Sequence, residues 1–267
     1  MTPARQNPPV LVTAAAALAY LLTFAAILVW LPLQAVLTLV TWPFDRTRRV
    51  GGRFLRWVAV FATYTFPFWR IRIEGSWPRG RQAFVVVSNH QSMLDIFMLS
   101  RLPREMKWVA KEELFRIPWI GWMFRISGDI PVRRGDQESG REVMARARWY
   151  LDRGMHVMLF PEGTRSRDGT MRQFKTGAFR LAIEAQVPVL PVAVSGTGDG
   201  MPKGSPWVRP ARAMARILDP VPTAGMGQAD VDRLCETVRE RIGVAVAELE
   251  RARAAAGPVP GAAREPA

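Results

Sequence analysis

The sequence predicts an α/β protein: a mixed, largely parallel sheet covered by helices, joined to an N-terminal membrane-embedded helical anchor. Three observations lead there. Apolar runs at 83–88 (AFVVVS), 155–160 and 189–195 have the texture of strands buried on both faces. Amphipathic or broken helical stretches separate them, as crossover connections require. Residues 6–44 carry no charged side chain at all.

That uncharged stretch is too long for a signal-peptide core and lacks a small-residue cleavage site. One span needs about 20 apolar residues, so a single tilted helix fits and two full spans do not. Pro32 predicts a kink or a break into two shorter helices. A second apolar run, 57–69, is rich in aromatics and too short to span; it suits an interfacial segment. Arg46, Arg48, Arg49, Arg53 and Arg56 lie between the runs and are expected on the cytoplasmic side. Residues 1–69 are therefore assigned to an anchor, spanning or re-entrant, at the cytoplasmic face of the inner membrane.

From residue 70 strands and helices alternate. An edge strand is predicted at 70–74, the buried strand at 83–88, a helix at 93–100 and a strand near 108–110. Residues 112–126 read as broken helices around Pro118 and Gly121. At 138–153, Val143, Ala147, Tyr150 and Leu151 share a helical face that stops at Gly154. The strand at 155–160, a helix at 174–185, the strand at 189–195 and a strand near 213–218 follow. The last helix, about 229–252, spaces Val231, Leu234, Val238, Ile242, Ala245 and Leu249 by threes and fours. The α/β domain thus covers 70–255, and 256–267 (PVPGAAREPA at its end) is expected to be a disordered tail.

Composition narrows the chemistry. With 37 Lys and Arg against 23 Asp and Glu, the formal charge is +14, a field that attracts phosphorylated substrates, anionic lipids or nucleic acid. Arginine supplies most of it, and its planar fork suits phosphate, although an Arg-rich codon bias gives the same composition. The single cysteine, Cys235, excludes an intramolecular disulfide, and with two histidines no metal ligand set is expected. His156, inside an apolar run, reads as a core or sheet-face residue.

The most informative stretch is SNHQSMLD, 88–95. His90 follows a buried strand, and in open α/β sheets ligands gather at the carboxyl ends of strands. On a continuous helix, side chains five residues apart diverge by about 140°. With His90 in the loop, Ser92 as N-cap and Asp95 at the third helical position, the two side chains can meet. The carboxylate then holds one imidazole nitrogen and frees the other to take a proton from an alcohol. A helix cap beside a solvated histidine is the plainer reading of the bare spacing.

The longer string resembles the first sequence block of the glycerolipid acyltransferases, the group containing the 1-acyl-sn-glycerol-3-phosphate acyltransferases. The resemblance runs in order from about residue 70 to 197 and implies that His90 is the base and Asp95 its orienting partner. FPEGTRS, 160–166, looks like the third block and implies that Glu162, Gly163, Thr164 and Arg165 help bind the acceptor's phosphate. A strand–Gly–Arg turn can present N–H groups and a guanidinium to an anion, with Glu162 clamping Arg165 or another cation. Lys111, Glu112, Leu114 and the Pro118/Gly121 turn resemble the family's KxEL segment, and Gly128, Ile130 and Arg134 its second block. Many relatives are acidic where this chain has Arg133, which leaves open which arginine meets phosphate; Arg134 is favoured, and Lys111 of the KxEL-like segment is a further phosphate-binding candidate. Lys175 and Gly177 continue the pattern. VPVLPVAVSG, 187–196, matches the fourth block and makes Pro188 and Pro191 acyl-channel candidates, although an ordinary core strand reads the same.

The resemblance implies transfer of a fatty acyl group from acyl-CoA or acyl-carrier protein, as co-substrate, to the sn-2 hydroxyl of lysophosphatidic acid. No cofactor, no metal and no nucleic-acid partner is expected; membrane lipids and the lysophospholipid acceptor are the partners. The same blocks fit another acceptor (a lyso-aminolipid, lysophosphatidylglycerol or glycerol-3-phosphate) or an inactive lipid-binding relative. With no GxSxG elbow, and Cys235 on the terminal helix, direct transfer without an acyl-enzyme is expected.

Overall fold

The structure, a computed structural model, describes residues 10–166, 170–205, 207–257 and 259. Its strands are β1 Trp69–Glu74, β2 Val85–Ser88, β3 Met106–Lys111, β4 Ile130–Val132, β5 His156–Leu159, β6 Val189–Ser195 and β7 Ala211–Ile217. They form one sheet in the order β1-β7-β6-β2-β5-β3-β4, and every pairing is parallel except β6 with β7. The predicted fold class is the one observed. The strand β4 went unread in the sequence; at three residues it is too short to show a period. Most of the expected tail, 258 and 260–267, lies outside the described residues.

The helices are α1 Val10–Thr41, α2 Arg49–Thr65, α3 Leu94–Leu99, α4 Ile120–Ser127, α5 Gln137–Leu151, α6 Gly177–Ala185, α7 Thr197–Gly200 and α8 Val231–Ala255. Two apolar layers sandwich the sheet. In one, α5, α6 and α8 bury Val143, Ala147, Tyr150, Val238 and Ile242 against Val85, Val87 and Val189. In the other, α3 and α1 set Leu94, Met98, Ala16 and Ala19 against Val86, Leu190 and Val192. Alternate residues of β2 and β6 enter opposite layers, which is why their sequences are apolar throughout. The Asp136 side chain starts α5 by accepting N–H groups from Glu138 and Ser139 at 2.9 and 3.1 Å.

Of the two expectations for the N-terminal region, a single helix and a break at Pro32, the structure has the single helix. α1 continues through Pro32 as one helix of 32 residues, long and apolar enough to cross a membrane. Contacts along its length hold it to the protein. Ala16 and Ala19 enter the second core layer, Ile27 packs with Leu55, Val58 and Met123, and Gln34 Nε2 donates to the carbonyls of Gly51 and Met123. The remaining face is exposed, including Leu18, Leu21, Phe24, Val29, Val36 and Leu39.

Of the arginines expected between the apolar runs, Arg46 and Arg48 precede α2 and Arg49, Arg53 and Arg56 lie in it, and they do not all face a membrane surface. Arg56 is buried and pairs with Asp129 through both carboxylate oxygens. Asp129 also accepts the Trp108 N–H at 2.9 Å and the Ser127 hydroxyl at 3.0 Å. Beside it the fully buried Lys107 donates to the carbonyls of Ser127 and Arg48 at 2.7 and 2.9 Å, with Glu105 at 3.5 Å. Burial draws Lys107 below, and pushes Glu105 above, their ordinary pKa values. This cluster ties α2 to β3 and β4. Its carboxylates lie 49 and 73 positions beyond Arg56, and nothing in a linear reading connects them.

His156 is a structural residue at the amino end of β5. Its Nδ1 accepts the Phe84 N–H at 3.1 Å, and its ring stacks on Phe84 with Trp77 edge-on. Burial first, then Arg49 and Arg104, hold its pKa down to about 4. The folded state thus prefers neutral imidazole, and the resulting stability is complete above about pH 6.5, the ordinary histidine value. It is lost as pH falls from there toward 4, by up to roughly 3 kcal/mol. Urea midpoints in detergent at pH 7.5 and 4.5 should reveal the loss. His156→Gln, which keeps an acceptor, should flatten that dependence, and an unchanged slope would remove His156 as its source.

Candidate active site

The parallel strands β6, β2, β5, β3 and β4 direct the segments that follow them to one edge of the sheet. There β2 and β5 are neighbours, so residues 89–95 and 160–166 lie side by side although about 70 positions apart. Asn89 extends the β2–β6 ladder with its side chain: Nδ2 donates to the Val194 carbonyl at 2.9 Å, and Oδ1 accepts the Val194 N–H at 2.8 Å. The chain then leaves the sheet at His90.

The Asp95 carboxylate organises the loop. It is fully buried, and its Oδ2 accepts the N–H groups of Gln91 and Ser92 at 2.8 and 2.9 Å while lying 2.7 Å from His90 Nδ1. Its Oδ1 is buried without a partner among the described residues. The meeting of His90 and Asp95 follows the predicted strand–loop–helix route, with one change. The helix starts at Leu94, so Asp95 is its second residue, and the Ser92 hydroxyl accepts the Leu94 N–H and donates to the Met201 carbonyl.

The imidazole is also held from below. Phe160 stacks on it at 4.0 Å between centroids and 18° between planes, and Trp108 backs Phe160 at 6.0 Å. With Nδ1 on Asp95 and one face on Phe160, Nε2 points away from the carboxylate and has no protein partner among the described residues. The ring keeps 10% of its side-chain surface exposed. Such an arrangement can accept a proton at Nε2 and stabilise the resulting imidazolium.

Glu162 corrects a sequence expectation. It does not clamp Arg165. Its Oε1 accepts the His90 N–H at 2.8 Å and its Oε2 the Arg172 N–H at 3.1 Å, binding the two loops to each other. Burial pushes its carboxyl above the ordinary range, against those two donors. The Ser166 N–H returns to the His90 carbonyl at 2.9 Å. Gly163 closes the turn at φ 71, with its N–H on the Phe160 carbonyl at 3.0 Å. A Cβ there would lie 3.3 Å from Lys175 Nζ, so the lysine lies over the turn.

Lys203 was missed, although it is one of only four lysines. Its Nζ donates to the Arg165 carbonyl at 2.7 Å and the Thr164 hydroxyl at 3.2 Å. Arg165, Lys175 and Lys203 thus gather positive charge around the 160–166 turn. Lys111 and Arg134 end up at the same sheet edge but on β3 and just beyond β4, two and three strands from β2, about 10 and 14 Å across the sheet. Lys111 is half-exposed and paired with Glu113; Arg134 is exposed, while Arg133 is engaged with Asp136 and Glu112. Pro188 and Pro191 are not brought to His90. Pro188 precedes β6 at the opposite edge, and Pro191 shares a face of β6 with Val189 and Ala193, which enter the layer facing α6 and α8.

A largely parallel sheet with a carboxylate-held histidine and a basic turn at its carboxyl edge defines a class of α/β proteins equipped for proton transfer beside an anion. The family model for acyltransferases matches residues 70–195. The chain is 36% identical to mouse 1-acyl-sn-glycerol-3-phosphate acyltransferase alpha over 70% of its own length and 67% of the relative's. It is 38% identical to the Arabidopsis thaliana chloroplastic protein LPAT1 over 74% of its length. A crystal structure of the 1-acyl-sn-glycerophosphate (LPA) acyltransferase PlsC from Thermotoga maritima superposes with a TM-score of 0.69 at 29% identity, covering 88% of this chain and 95% of that one. The chain belongs to the acyltransferase family. It spans 57% and 55% of the length of two plastid relatives, from Brassica napus and Arabidopsis thaliana.

Proposed function

We propose that the protein transfers a fatty acyl group from acyl-CoA or acyl-carrier protein to the sn-2 hydroxyl of lysophosphatidic acid, giving phosphatidic acid for phospholipid synthesis. The observation that carries this reading is the imidazole of His90, fixed at Nδ1 by buried Asp95 and open at Nε2, beside the basic 160–166 turn. His90 Nε2 takes the proton of the lipid hydroxyl as its oxygen attacks the thioester carbonyl. The tetrahedral intermediate expels the thiolate, and the imidazolium returns the proton to that sulfur. Arg165, with Lys175 and Lys203 around Gly163 and Thr164, holds the phosphate; Lys111 and Arg134 extend the basic rim. Holding both reactants in place converts a bimolecular encounter into an oriented one.

Direct transfer needs no enzyme nucleophile. Cys235 is buried on α8, and burial pushes its thiol up to about 11, far from the reactive range. The exposed apolar face of α1, held lengthwise against the protein by Ala16, Ile27 and Gln34, suits a helix embedded in one leaflet, with the site toward the cytoplasm. A helix so embedded would keep the site beside a lipid pool and give the basic surface anionic headgroups to meet.

The test is an acceptor panel with purified protein, both donors and detergent-solubilised lysophosphatidic acid, a lyso-aminolipid, lysophosphatidylglycerol and glycerol-3-phosphate. Phosphatidic acid should be the main product. Turnover confined to a different acceptor would replace the named substrate, and no turnover on any of them would leave a lipid-binding relative.

A further inference from the structure

The short segment between β3 and α4 shows two features that nothing in the fold or the proposed chemistry uses. Trp119 has φ 58 and ψ −59, a region that bulky residues rarely adopt, and the Ile120 N–H closes on the Pro118 carbonyl at 2.7 Å across it. This tight turn carries its apolar side chains outward: Ile117, Trp119 and Trp122 are 41%, 39% and 50% exposed. The two indoles lie 6.2 Å apart.

The segment is firmly built. Phe115 and Met123 on either side are buried, and Ile120 packs with Ile27, Leu55 and Val58. Gly121 sits so close to the chain before it that a Cβ would come within 2.3 Å of the Phe115 carbonyl. A strained turn held rigidly with indoles facing outward has its apolar surface arranged for a partner.

We propose that this partner is the lipid bilayer, and that Ile117–Trp122 is a second membrane-inserted element beside the mouth of the site. The patch is continuous with the exposed face of α1: Phe24, itself exposed, meets Trp119 edge-on at 5.8 Å. Tryptophan is favoured at the depth where hydrocarbon meets headgroups. Arg116 and Arg125 flank the turn, as anionic headgroups would require. The segment starts a few residues beyond Lys111, at the sheet edge that carries His90. It therefore places the bilayer against the side from which a lipid acceptor enters. This rests on the reading that the acceptor is a bilayer lipid.

The test uses the full chain in phosphatidylcholine vesicles containing phosphatidic acid. In a Cys235→Ala background, a Trp122→Cys variant and a Glu240→Cys control on α8 are labelled with an environment-sensitive fluorophore. The label at 122 should be quenched by nitroxide-bearing lipids and shielded from aqueous iodide, with the reverse at 240. Iodide quenching at 122 equal to that at 240 would overturn the proposal. Shielding without lipid quenching would do so too, by assigning the patch to a protein contact. In parallel, Trp119→Ser/Trp122→Ser should lower kcat/KM on vesicle-embedded lysophosphatidic acid by roughly tenfold, through KM. Its rate on a short-chain acceptor monomeric in water should be unchanged; equal losses on both would show a distorted site and no membrane role. Should the parent protein not acylate lysophosphatidic acid, the substrate reading fails while the quenching still decides the insertion.

Discussion

Replacing His90 with alanine should lower kcat by on the order of 10²–10⁴-fold while leaving the protein folded, because it removes only the group that takes the hydroxyl proton. The ring bonds Asp95 and stacks on Phe160, whereas the loop is held by bonds that survive: the backbone of residue 90 on Glu162 and Ser166, and Asn89 on Val194. Asp95 divides its role into two measurable parts. Asp95→Asn can keep an oxygen in the position of Oδ2, facing the N–H groups of Gln91 and Ser92 and the imidazole, so it removes chiefly the charge that stabilises the imidazolium. Asp95→Ala removes the charge and the hydrogen bonds together. Activity should fall in the order wild type, Asp95→Asn, Asp95→Ala. The alanine variant should lose the more stability, by about 1–3 kcal/mol for the two buried N–H groups it leaves unpaired. Initial rates and urea midpoints on the same preparations check both parts, and an Asp95→Asn enzyme of wild-type activity would show that the charge does not matter.

Arg56→Met should be the most destabilising single change away from the site. It leaves Asp129 ionised in a place with no solvent, and breaking one side of a buried pair costs about 3–5 kcal/mol. The loss should appear as a lower urea midpoint in detergent with an unchanged slope. Arg56→Met/Asp129→Leu should recover part of it, since no charge is then stranded, although the Trp108 N–H and the Ser127 hydroxyl lose an acceptor. A double variant no better than the single would point to packing of the Arg56 stem over Trp108 as the main contribution. The same contacts bear on truncation. Cutting before residue 70 removes Arg56 together with Ala16, Ala19, Phe66 and Trp69 from the second core layer, so the shortened chain should aggregate and not dissolve. The boundary suggested by composition at residue 69 marks a change of surroundings and does not divide the packing.

The pattern of legible and illegible features follows from distance along the chain. The meeting of His90 and Asp95 was readable because five residues, one strand end and one helix start determine it. The core strands were readable because burial on both faces leaves a continuous apolar run. The role of Glu162 was not, since its partner is the backbone of His90, 72 positions earlier, and depends on β5 lying next to β2. Lys203 and Asn89 were passed over for the same reason: each bonds backbone from a distant segment, and a strand order is not encoded in local period or spacing. Pro188 and Pro191 show the reverse case: a matching block suggested a role, while the sheet sets β6 among the core strands, the alternative that the sequence also offered.

Acyl transfer should pass directly from donor to lipid, with the imidazole that Asp95 holds in place as the base. Single-turnover transfer from an acyl donor labelled in its acyl group, to limiting lysophosphatidic acid, tests it most directly. Label should appear at the sn-2 position of the lipid at every time point, with none bound to protein and almost none transferred by His90→Ala in the same interval. A labelled protein species that forms and decays ahead of the lipid product, or transfer by His90→Ala at the wild-type rate, would contradict it.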